Sequence, residues 1–469
     1  MATRFDAIVI GTGQAGPSLA ARLSAAGRKV AIVERKLFGG TCVNVGCIPT
    51  KALVASARAA FVAREASRWG VEVQGAVRVD PKAVKARKDA IVARSSQGVQ
   101  GWLRGLKNAT VLEGHARFES PRHVRVGDEA LEADWVFINV GGRATIPDLP
   151  GLAGLPYLTN SGMMEIDTLP EHLVVVGGSY VGLEFAQMYR RFGSRVTVVQ
   201  RSPRLVPRED EDVSEAIRQL LEGEGVAVRT SATCIALAPH AHGVSVGVEC
   251  GSGPPAIVGS HVLLAVGRRP NTDDLGLERA GIAVDAQGYV KVDDELRTST
   301  PGVWALGDCN GRGAFTHTSY NDYEIVAANL LDGERRRVTD RIPAHALYVD
   351  PPLGRVGMTE AEVRRTGRPA LVAKRPMEKV GRAVEKGETL GFMKVVVDAQ
   401  TERILGAAIL GVEGDEIVHV LLAAMYADKP YTLIQRAVHI HPTVAELLPT
   451  LLGSLKPLAP DPQSLEHLG

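Results

Sequence analysis

GGTCVNVGCIPTK, residues 39–51, places two cysteines, Cys42 and Cys47, with four residues between them in a glycine-rich stretch. A disulfide needs its Cα atoms within about 4.4–6.8 Å of each other. Positions i and i+5 of a regular helix lie roughly 8.6 Å apart. A bridge here therefore requires a distorted first turn, which Gly40 and Gly46 permit. A bridge held in awkward geometry is readily reduced, which suits a working disulfide better than a structural one. If a helix opens near Pro49, its free N–H groups lower the pKa of a neighbouring thiol. Two competing readings are a pair of small buried residues and a metal pair. Metal sites bring closer cysteine spacing and further Cys or His ligands, and this stretch has neither, so no metal site is expected.

Length and charge bound what surrounds this stretch. A chain of 469 residues is too long for one core and predicts two to four domains. The 54 Lys and Arg balance 53 Asp and Glu, which argues against nucleic acid and against a polybasic membrane patch. The cysteines are Cys42, Cys47, Cys234, Cys250 and Cys309, too few for a secreted disulfide framework. The chain enters a strand almost at once (MATRFDAIVIG), and no run reaches the length of a membrane span. A soluble cytoplasmic protein is the expectation.

Upstream of the cysteines, FDAIVIGTGQAGPSLAARLSAAGRKVAIVE (residues 5–34) reads as a strand–helix–strand unit. Gly11, Gly13 and Gly16 allow a tight turn, close approach to a pyrophosphate, and close helix packing. Glu34 ends the second strand, where it can bond a ribose hydroxyl. No basic residue stands at that strand end, so a 2′-phosphate is disfavoured, and FAD and NAD both fit. LVVVGGSYVGLEFAQMYRRFGSRVTVVQR (residues 173–201) repeats the unit, with Gly177 and Gly182 in place of Gly11 and Gly16 and Ser179 in place of the middle glycine. Its second strand ends at Gln200, followed by Arg201, with Arg204 nearby. A carboxylate there would repel a 2′-phosphate and arginines would bind one, so NADPH is expected over NADH. Two such units imply two dinucleotides and hydride traffic between a nicotinamide and a flavin.

Elsewhere, residues 51–69 and 81–106 carry helical apolar patterns and residues 109–140 read as short strands. Pro147, Pro150, Gly151 and Gly154 mark a boundary. VLLAVGRRPNT (262–272) closes the second unit, and TSTPGVWALGD (298–308) puts a strand before Gly307 and Asp308, an acidic residue placed to bond a sugar or ribityl hydroxyl. Cys309 reads as a small core residue. After Pro343 the pattern changes to strands and hairpins, with helices at 413–428 and 443–452 and apolar faces that suggest a subunit interface.

From about residue 4 to 457 these ordered motifs resemble the pyridine nucleotide–disulfide oxidoreductases with a Cys-x4-Cys centre, the family of dihydrolipoamide dehydrogenase, glutathione reductase and mercuric reductase. The resemblance implies an α/β chain with two Rossmann-like domains and a C-terminal α+β dimerisation domain. Residues 1–150 with 270–340 would bind FAD, 151–269 would bind NAD(P), and 341–469 would form the homodimer interface. FAD would lie on Gly11, Gly13, Gly16, Glu34, Gly40, Thr41, Lys51, Gly307 and Asp308. The nicotinamide nucleotide would lie on Gly177, Ser179, Tyr180, Gly182, Gln200, Arg201 and Gly267, with Tyr180 as the gating aromatic. Cys47 would be the thiol beside the flavin and Cys42 the thiol that meets substrate. Lys51 and Glu184 would form the ion pair near the flavin. In HIHPTVAE (439–446), His441 would be the acid/base and Glu446 its orienting carboxylate, the histidine acting across the dimer. His439 and His317 read as structural.

Within the family, the cysteine stretch and the segments FTHTSYNDYEIV and DPPLGRVGMTE look most like mercuric-reductase-like flavoproteins, which include copper-reducing enzymes of reactive-chlorine resistance. No cysteine follows Cys309, whereas mercuric reductases carry a C-terminal cysteine pair, which argues against efficient Hg(II) reduction. Ala21 and Arg22 stand where glutathione reductases carry paired arginines, and Val140 where many members have Thr. The expected function is an FAD-dependent NAD(P)H oxidoreductase acting on a small disulfide, a metal ion or a quinone. Dihydrolipoamide dehydrogenase is the alternative within the family. A redox-sensing flavoprotein that regulates a partner is the alternative of another class.

Overall fold

A computed structural model describes residues 2–249 and 254–459, and the described residues form five sheets. Cys250 lies outside the described residues. The first unit forms where apolar β-rich runs alternate with a small-residue helix: β1 (Thr3–Ile10), α1 (Gly16–Ala25) and β2 (Val30–Glu34). Ala7, Ile8, Val9 and Ala31 are fully buried, as expected of strands covered on both faces. After β2 come α2 (Gly40–Asn44), α3 (Cys47–Arg64) and α4 (Pro81–Arg104). The Asp80 carboxylate accepts the backbone N–H groups of Lys82 and Ala83, capping α4 with Pro81 in its first turn.

The next strands are β3 (Ala109–Glu113), β4 (Ala116–Ser120), β5 (His123–Val126) and β6 (Glu129–Ile138). The first sheet has the order β3-β2-β1-β6-β5-β4. The second unit comprises β7 (His172–Val176), α5 (Tyr180–Phe192), β8 (Arg195–Val199), α6 (Glu211–Gly223), β9 (Ala227–Arg229) and β10 (His261–Leu264). Its parallel sheet runs β9-β8-β7-β10, flanked by a separate three-stranded antiparallel sheet between residues 233 and 259. The chain then returns to the first sheet, where β11 (Val303–Ala305) pairs with β6, and continues into α7 (Thr316–Ala327).

The last sheet comprises β12 (Ala344–Leu347), β13 (Leu353–Gly357), β14 (Ala370–Pro376), β15 (Phe392–Asp398), β16 (Ile404–Leu410) and, after α8 (Gly414–Tyr426), β17 (Lys456–Pro457). Its order is β12-β13-β16-β15-β14-β17, antiparallel throughout. Beyond α8 the segment 443–452 is a short 3-10 turn at Ala445–Leu447 and a brief helix at Leu448–Leu452, shorter than the expected helix. Val438 and Ile440 lie almost fully in solvent, at 101% and 80% exposure, with Leu433 and Tyr426 also exposed. That apolar surface is on the segment the sequence assigns to subunit contact.

Among the described residues, the helical stretch Gly40–Arg64 is long and apolar enough to cross a membrane by length and composition, with 28% of its most apolar window buried. Lys51, Arg58 and Arg64 punctuate this stretch, and it is divided between α2 and α3. In this fold the stretch is tied down by ion pairs of Lys51 with Glu184 and of Arg58 with Asp350.

Candidate active site

The cysteine stretch is bent where its spacing required. Cys42 lies on α2 and Cys47 is the first residue of α3, so the two helices are separate and the second opens two residues before Pro49 rather than at it. Pro49 is tolerated there because first-turn N–H groups have no intrahelical partner. Gly46 makes the bend: a Cβ at that position would sit 2.8 Å from the Thr41 carbonyl oxygen. Both cysteines are unbridged thiols in this structure, hydrogen-bonded to each other. Cys47 is exposed, Cys42 is half-buried, and the Thr316 hydroxyl lies 3.2 Å from the Cys47 sulfur.

The pair is electrostatically asymmetric. The Cys42 thiol donates to Cys47, and that bond, with help from Thr316 and the Lys51 charge, outweighs burial and the Glu184 charge to bring Cys47 down to about 6. The same bond, with burial and the Cys47 charge, pushes Cys42 up. The first proton therefore leaves Cys47, and Cys42 keeps its own.

One turn along α3 from Cys47, Lys51 Nζ lies 2.6 Å from Glu184 Oε2 and 4.3 Å from the centre of the Tyr348 ring. The other Glu184 oxygen accepts the Tyr348 N–H at 3.1 Å. Glu184 is one turn along α5 from Tyr180, so the ion pair joins the thiol helix to the helix of the second unit.

The first glycine turn is as tight as its sequence implies. Gly11 has φ +105°, and a Cβ there would stand 2.3 Å from the Asn139 carbonyl oxygen. A Cβ on Gly16 would meet the Gly11 carbonyl oxygen at 2.2 Å. Gly40 packs against Gly13, its Cβ position 2.9 Å from the Gly13 Cα. Glu34 Oε2 accepts from the Thr12 N–H at 3.1 Å and the Thr12 hydroxyl at 2.5 Å, which fixes the carboxylate at the strand end. Asp308 follows Gly307 in a 3-10 turn and lies 3.8 Å from Arg268. Burial holds the Asp308 carboxyl above its usual range despite Arg268. The cradle is a backbone surface that side chains would fill, with a carboxylate at its ribose end and another at the far side. It fits a dinucleotide such as FAD.

The second turn repeats this. Gly177 has φ +115°, with a Cβ position 2.3 Å from the Ala265 carbonyl oxygen, and a Cβ on Gly182 would lie 2.1 Å from the Gly177 carbonyl oxygen. Ser179 precedes α5, Gln200 Oε1 accepts the Gly178 N–H at 2.9 Å, and Arg201 is exposed beyond it. Arg204 is half-buried, and its carbonyl oxygen accepts the Ser202 hydroxyl at 2.7 Å. Gly267, with φ +132°, follows the strand end that faces this turn.

His441 and Glu446 are brought together on the exposed C-terminal segment. His441 Nδ1 is 2.7 Å from Glu446 Oε2, and the His441 side chain is 80% exposed. His439 is bonded to the Ala437 carbonyl oxygen. His317 bonds the Ala344 carbonyl oxygen at 2.7 Å and stacks on Phe315. Cys309 is fully buried, its thiol 3.3 Å from the Leu306 carbonyl oxygen.

Several residues of the site were not singled out in the sequence. Asn139 clamps the first turn, its Oδ1 accepting the Gly16 N–H at 3.0 Å and its Nδ2 donating to the Leu306 carbonyl oxygen at 2.9 Å. Asp322, fully buried, accepts the Gly307 N–H at 2.8 Å and pairs with Arg341. Thr316, Arg268 and Tyr348 complete the surroundings of the sulfurs and of Asp308. Asn139 could have been found as the polar residue ending the apolar strand WVFIN, and the others carry no local signal.

The pyridine nucleotide-disulphide oxidoreductase family matches residues 5–322, and its dimerisation domain matches residues 343–452. The chain belongs to that family. It is therefore an oxidoreductase of a family of FAD-dependent enzymes that use NAD(P)H and act on sulfur groups, with a Rossmann-type FAD-binding domain and a C-terminal dimerisation domain. It is 34% identical to the probable pyridine nucleotide-disulfide oxidoreductase RclA of Escherichia coli, over 97% of this chain and 100% of that protein. It is 35% identical to a dihydrolipoyl dehydrogenase of Thermus scotoductus (94% and 95% covered) and 34% to a mercuric reductase of Streptomyces lividans (95% of each). The solved structure of RclA, an HOCl-induced flavoprotein disulfide reductase, superposes with a TM-score of 0.88 at 33% identity, covering 96% of this chain and 100% of that one. A second RclA structure, a Cu(II) complex, has the same TM-score of 0.88 and covers 96% of this chain and 99% of that one.

Proposed function

We propose that this chain is an NAD(P)H oxidoreductase that passes electrons through Cys42 and Cys47 to a small disulfide, metal-ion or quinone acceptor. The asymmetry of the thiol pair carries the reading: one sulfur is held as thiolate beside Lys51 and Thr316, and the other keeps its proton. Residues 1–150 with 270–340 hold FAD on the Gly11, Gly13, Gly16, Glu34, Gly40, Thr41 and Asp308 cradle. Residues 151–269 hold the nicotinamide nucleotide, and 341–469 pair two copies. NADPH is the preferred nucleotide, since Gln200 is neutral and Arg201 is free to meet a 2′-phosphate.

When bound, FAD supplies a two-electron carrier between the nicotinamide and the sulfur pair. In the reductive half-reaction the bond between the Cys42 and Cys47 sulfurs breaks and takes up two electrons and one proton. Cys47 is left as the thiolate, stabilised by the Lys51 charge, and Cys42 as the thiol. Against a disulfide acceptor, Cys42 gives its proton to His441 of the partner subunit and attacks one acceptor sulfur. The leaving thiolate recovers that proton from the imidazole, whose orientation Glu446 fixes. Cys47 then displaces the second acceptor thiolate and the Cys42–Cys47 bond re-forms.

Replacing Cys42 by Ser tests this directly. Flavin reduction by NAD(P)H persists and acceptor turnover stops; turnover at the wild-type rate would sink the cysteine mechanism. Since RclA is described in a Cu(II) complex, Cu(II) is the first acceptor to assay, beside lipoamide, glutathione disulfide, Hg(II) and quinones, with NADH and NADPH in parallel. A dihydrolipoyl dehydrogenase activity is the second reading, favoured by the His441–Glu446 pair and the similarity to such enzymes. Preferential turnover of lipoamide with NADH would select it.

A further inference from the structure

A buried polar network lies beneath Tyr180. The Tyr180 hydroxyl donates to Glu209 Oε1 at 2.7 Å, and His345 Nε2 meets the same oxygen at 3.1 Å. The Nε of Arg355 lies 3.9 Å from the other Glu209 oxygen. His345 and Arg355 stand directly opposite each other on β12 and β13, so the hairpin presents both to one carboxylate. The side chains of Glu209 and Arg355 are each only 2% exposed, and a carboxylate so placed persists only with partners. Burial opposes its ionisation, and His345, Arg355 and Tyr180 outweigh burial, which keeps Glu209 below the usual carboxylate range.

The backbone accepts strain to deliver this carboxylate. Val206 has φ +38°, where β-branched residues are outliers. Its N–H bonds the Gly178 carbonyl oxygen at 2.8 Å, and its own carbonyl accepts the Glu209 N–H at 2.8 Å. The loop is thus hooked to the second glycine turn at one end and holds Glu209 under Tyr180 at the other. Above it, the Tyr180 ring meets Phe315 edge-on at 6.3 Å and His345 at 5.6 Å, while Phe315 and His345 stack at 5.4 Å. The residue after Phe315 is Thr316, which touches the Cys47 sulfur. Tyr180 opens the helix after the second glycine turn, so its ring stands across the passage from that turn to Phe315 and Thr316.

We propose that Glu209 and His345 are positioning residues that latch the Tyr180 ring across this passage, so that nucleotide binding has to release the Tyr180–Glu209 hydrogen bond. The proposal rests on the reading that Tyr180 borders the nicotinamide site. A latch that favours the closed ring lowers apparent affinity by the fraction of molecules that are open, and its removal returns that fraction.

The test uses the flavin-loaded full chain. Calorimetric titration with NADP+ and NAD+ reads affinity without turnover, and steady-state kinetics separate KM from kcat. Tyr180→Phe keeps the ring and removes the hydroxyl, and Glu209→Gln keeps the shape and removes the charge. Each is expected to tighten dinucleotide binding about tenfold, the scale of a hydrogen bond to a charged group. KM falls by a similar factor, whereas a merely structural defect lowers flavin content and kcat. The double variant binds no tighter than either single one, because both remove the same bond. Additive effects, or looser binding in both single variants, overturn the latch. A shift in Tyr180→Phe with none in Glu209→Gln overturns the latch and leaves Tyr180 at the nicotinamide site. No shift in either overturns both. Should Glu209→Gln fail to fold, the cycle of Tyr180→Phe with His345→Asn decides by the same non-additivity.

Discussion

The two glycine turns have nearly the same geometry and opposite electrostatics. In each, the N–H after the first glycine donates to a side chain at or just past the end of the second strand: Thr12 to Glu34 at 3.1 Å, Gly178 to Gln200 at 2.9 Å. In each, the third glycine sits so close to the first that a methyl group would overlap its carbonyl oxygen, at 2.2 and 2.1 Å. The difference lies at the strand end. Glu34 presents a carboxylate that also takes the Lys36 N–H, whereas Gln200 presents an amide whose Nε2 donates to the Ser202 hydroxyl, with Arg201 exposed beyond it. On the proposed function, the shared backbone shape would serve a pyrophosphate in both places, and the strand-end side chain would set which nucleotide is preferred. The units also lead to different chemistry: the first runs into the thiol helix, the second into the loop that carries Glu209.

Breaking either turn has the largest expected effect. Gly11→Ala forces a Cβ to 2.3 Å from the Asn139 carbonyl oxygen at φ +105°, and Gly177→Ala does the same against Ala265 at φ +115°. Backbone strain and overlap together cost about 2–6 kcal/mol, so dinucleotide affinity falls at least about thirtyfold at the altered turn. Gly11→Ala yields colourless protein, while Gly177→Ala stays yellow but is reduced poorly by NAD(P)H; flavin content and anaerobic reduction measure both. Equal flavin loss from the two variants would break the division of labour.

The chemistry fed by the first unit gives the next effect. Below a pH of about 6, the level to which Cys47 is lowered, its alkylation rate falls about tenfold per pH unit, because only the thiolate reacts. Cys42 stays a thiol through the same range and is alkylated slowly. Lys51→Gln removes a charge that favours the thiolate, so the midpoint of the Cys47 profile moves up. A profile centred near that of an ordinary cysteine in the reduced wild-type protein would refute the asymmetry on which the mechanism stands.

What could be read from the sequence follows from how local each feature is. The glycine turns, Glu34 and Gln200 each lie within one short segment or at a fixed offset, so spacing carried them, whereas the His441–Glu446 pair was carried by the resemblance of HIHPTVAE to the family's motif. Cys42 and Cys47 were legible as a bent pair from their spacing, with the bend made by Gly46 against the Thr41 carbonyl and the helix opening at Cys47, two residues before Pro49. Thr316, Arg268 and the Glu209–His345–Arg355 cluster were not legible, and Asn139 left only the weak mark of a polar residue ending an apolar strand. Each acts across more than a hundred residues of chain or through register between strands, and a single polar residue in an apolar run has no period to betray it.

The comparison is sharpened by exchanging the residue that differs. Gln200→Glu restores to the second turn the carboxylate that the first one has, and the Gly178 N–H can bond it as the Thr12 N–H bonds Glu34. The geometry of the turn is unchanged, so NADH binding is kept or improved through the ribose hydroxyl. NADPH binding meets a negative charge facing its 2′-phosphate, and the NADPH-to-NADH ratio of kcat/KM falls about tenfold, equal to about 1.4 kcal/mol. Arg201→Ala moves the same ratio in the same direction by less, about threefold, because Arg201 is exposed and its charge is screened. Raising the ionic strength erases the Arg201 effect before the Gln200 effect, since the substituted carboxylate is half-buried at the strand end. If Gln200→Glu leaves the ratio unmoved while Gly177→Ala abolishes reduction, the second turn binds the pyrophosphate and nucleotide choice is made elsewhere on the loop, with Arg204 the next side chain to exchange.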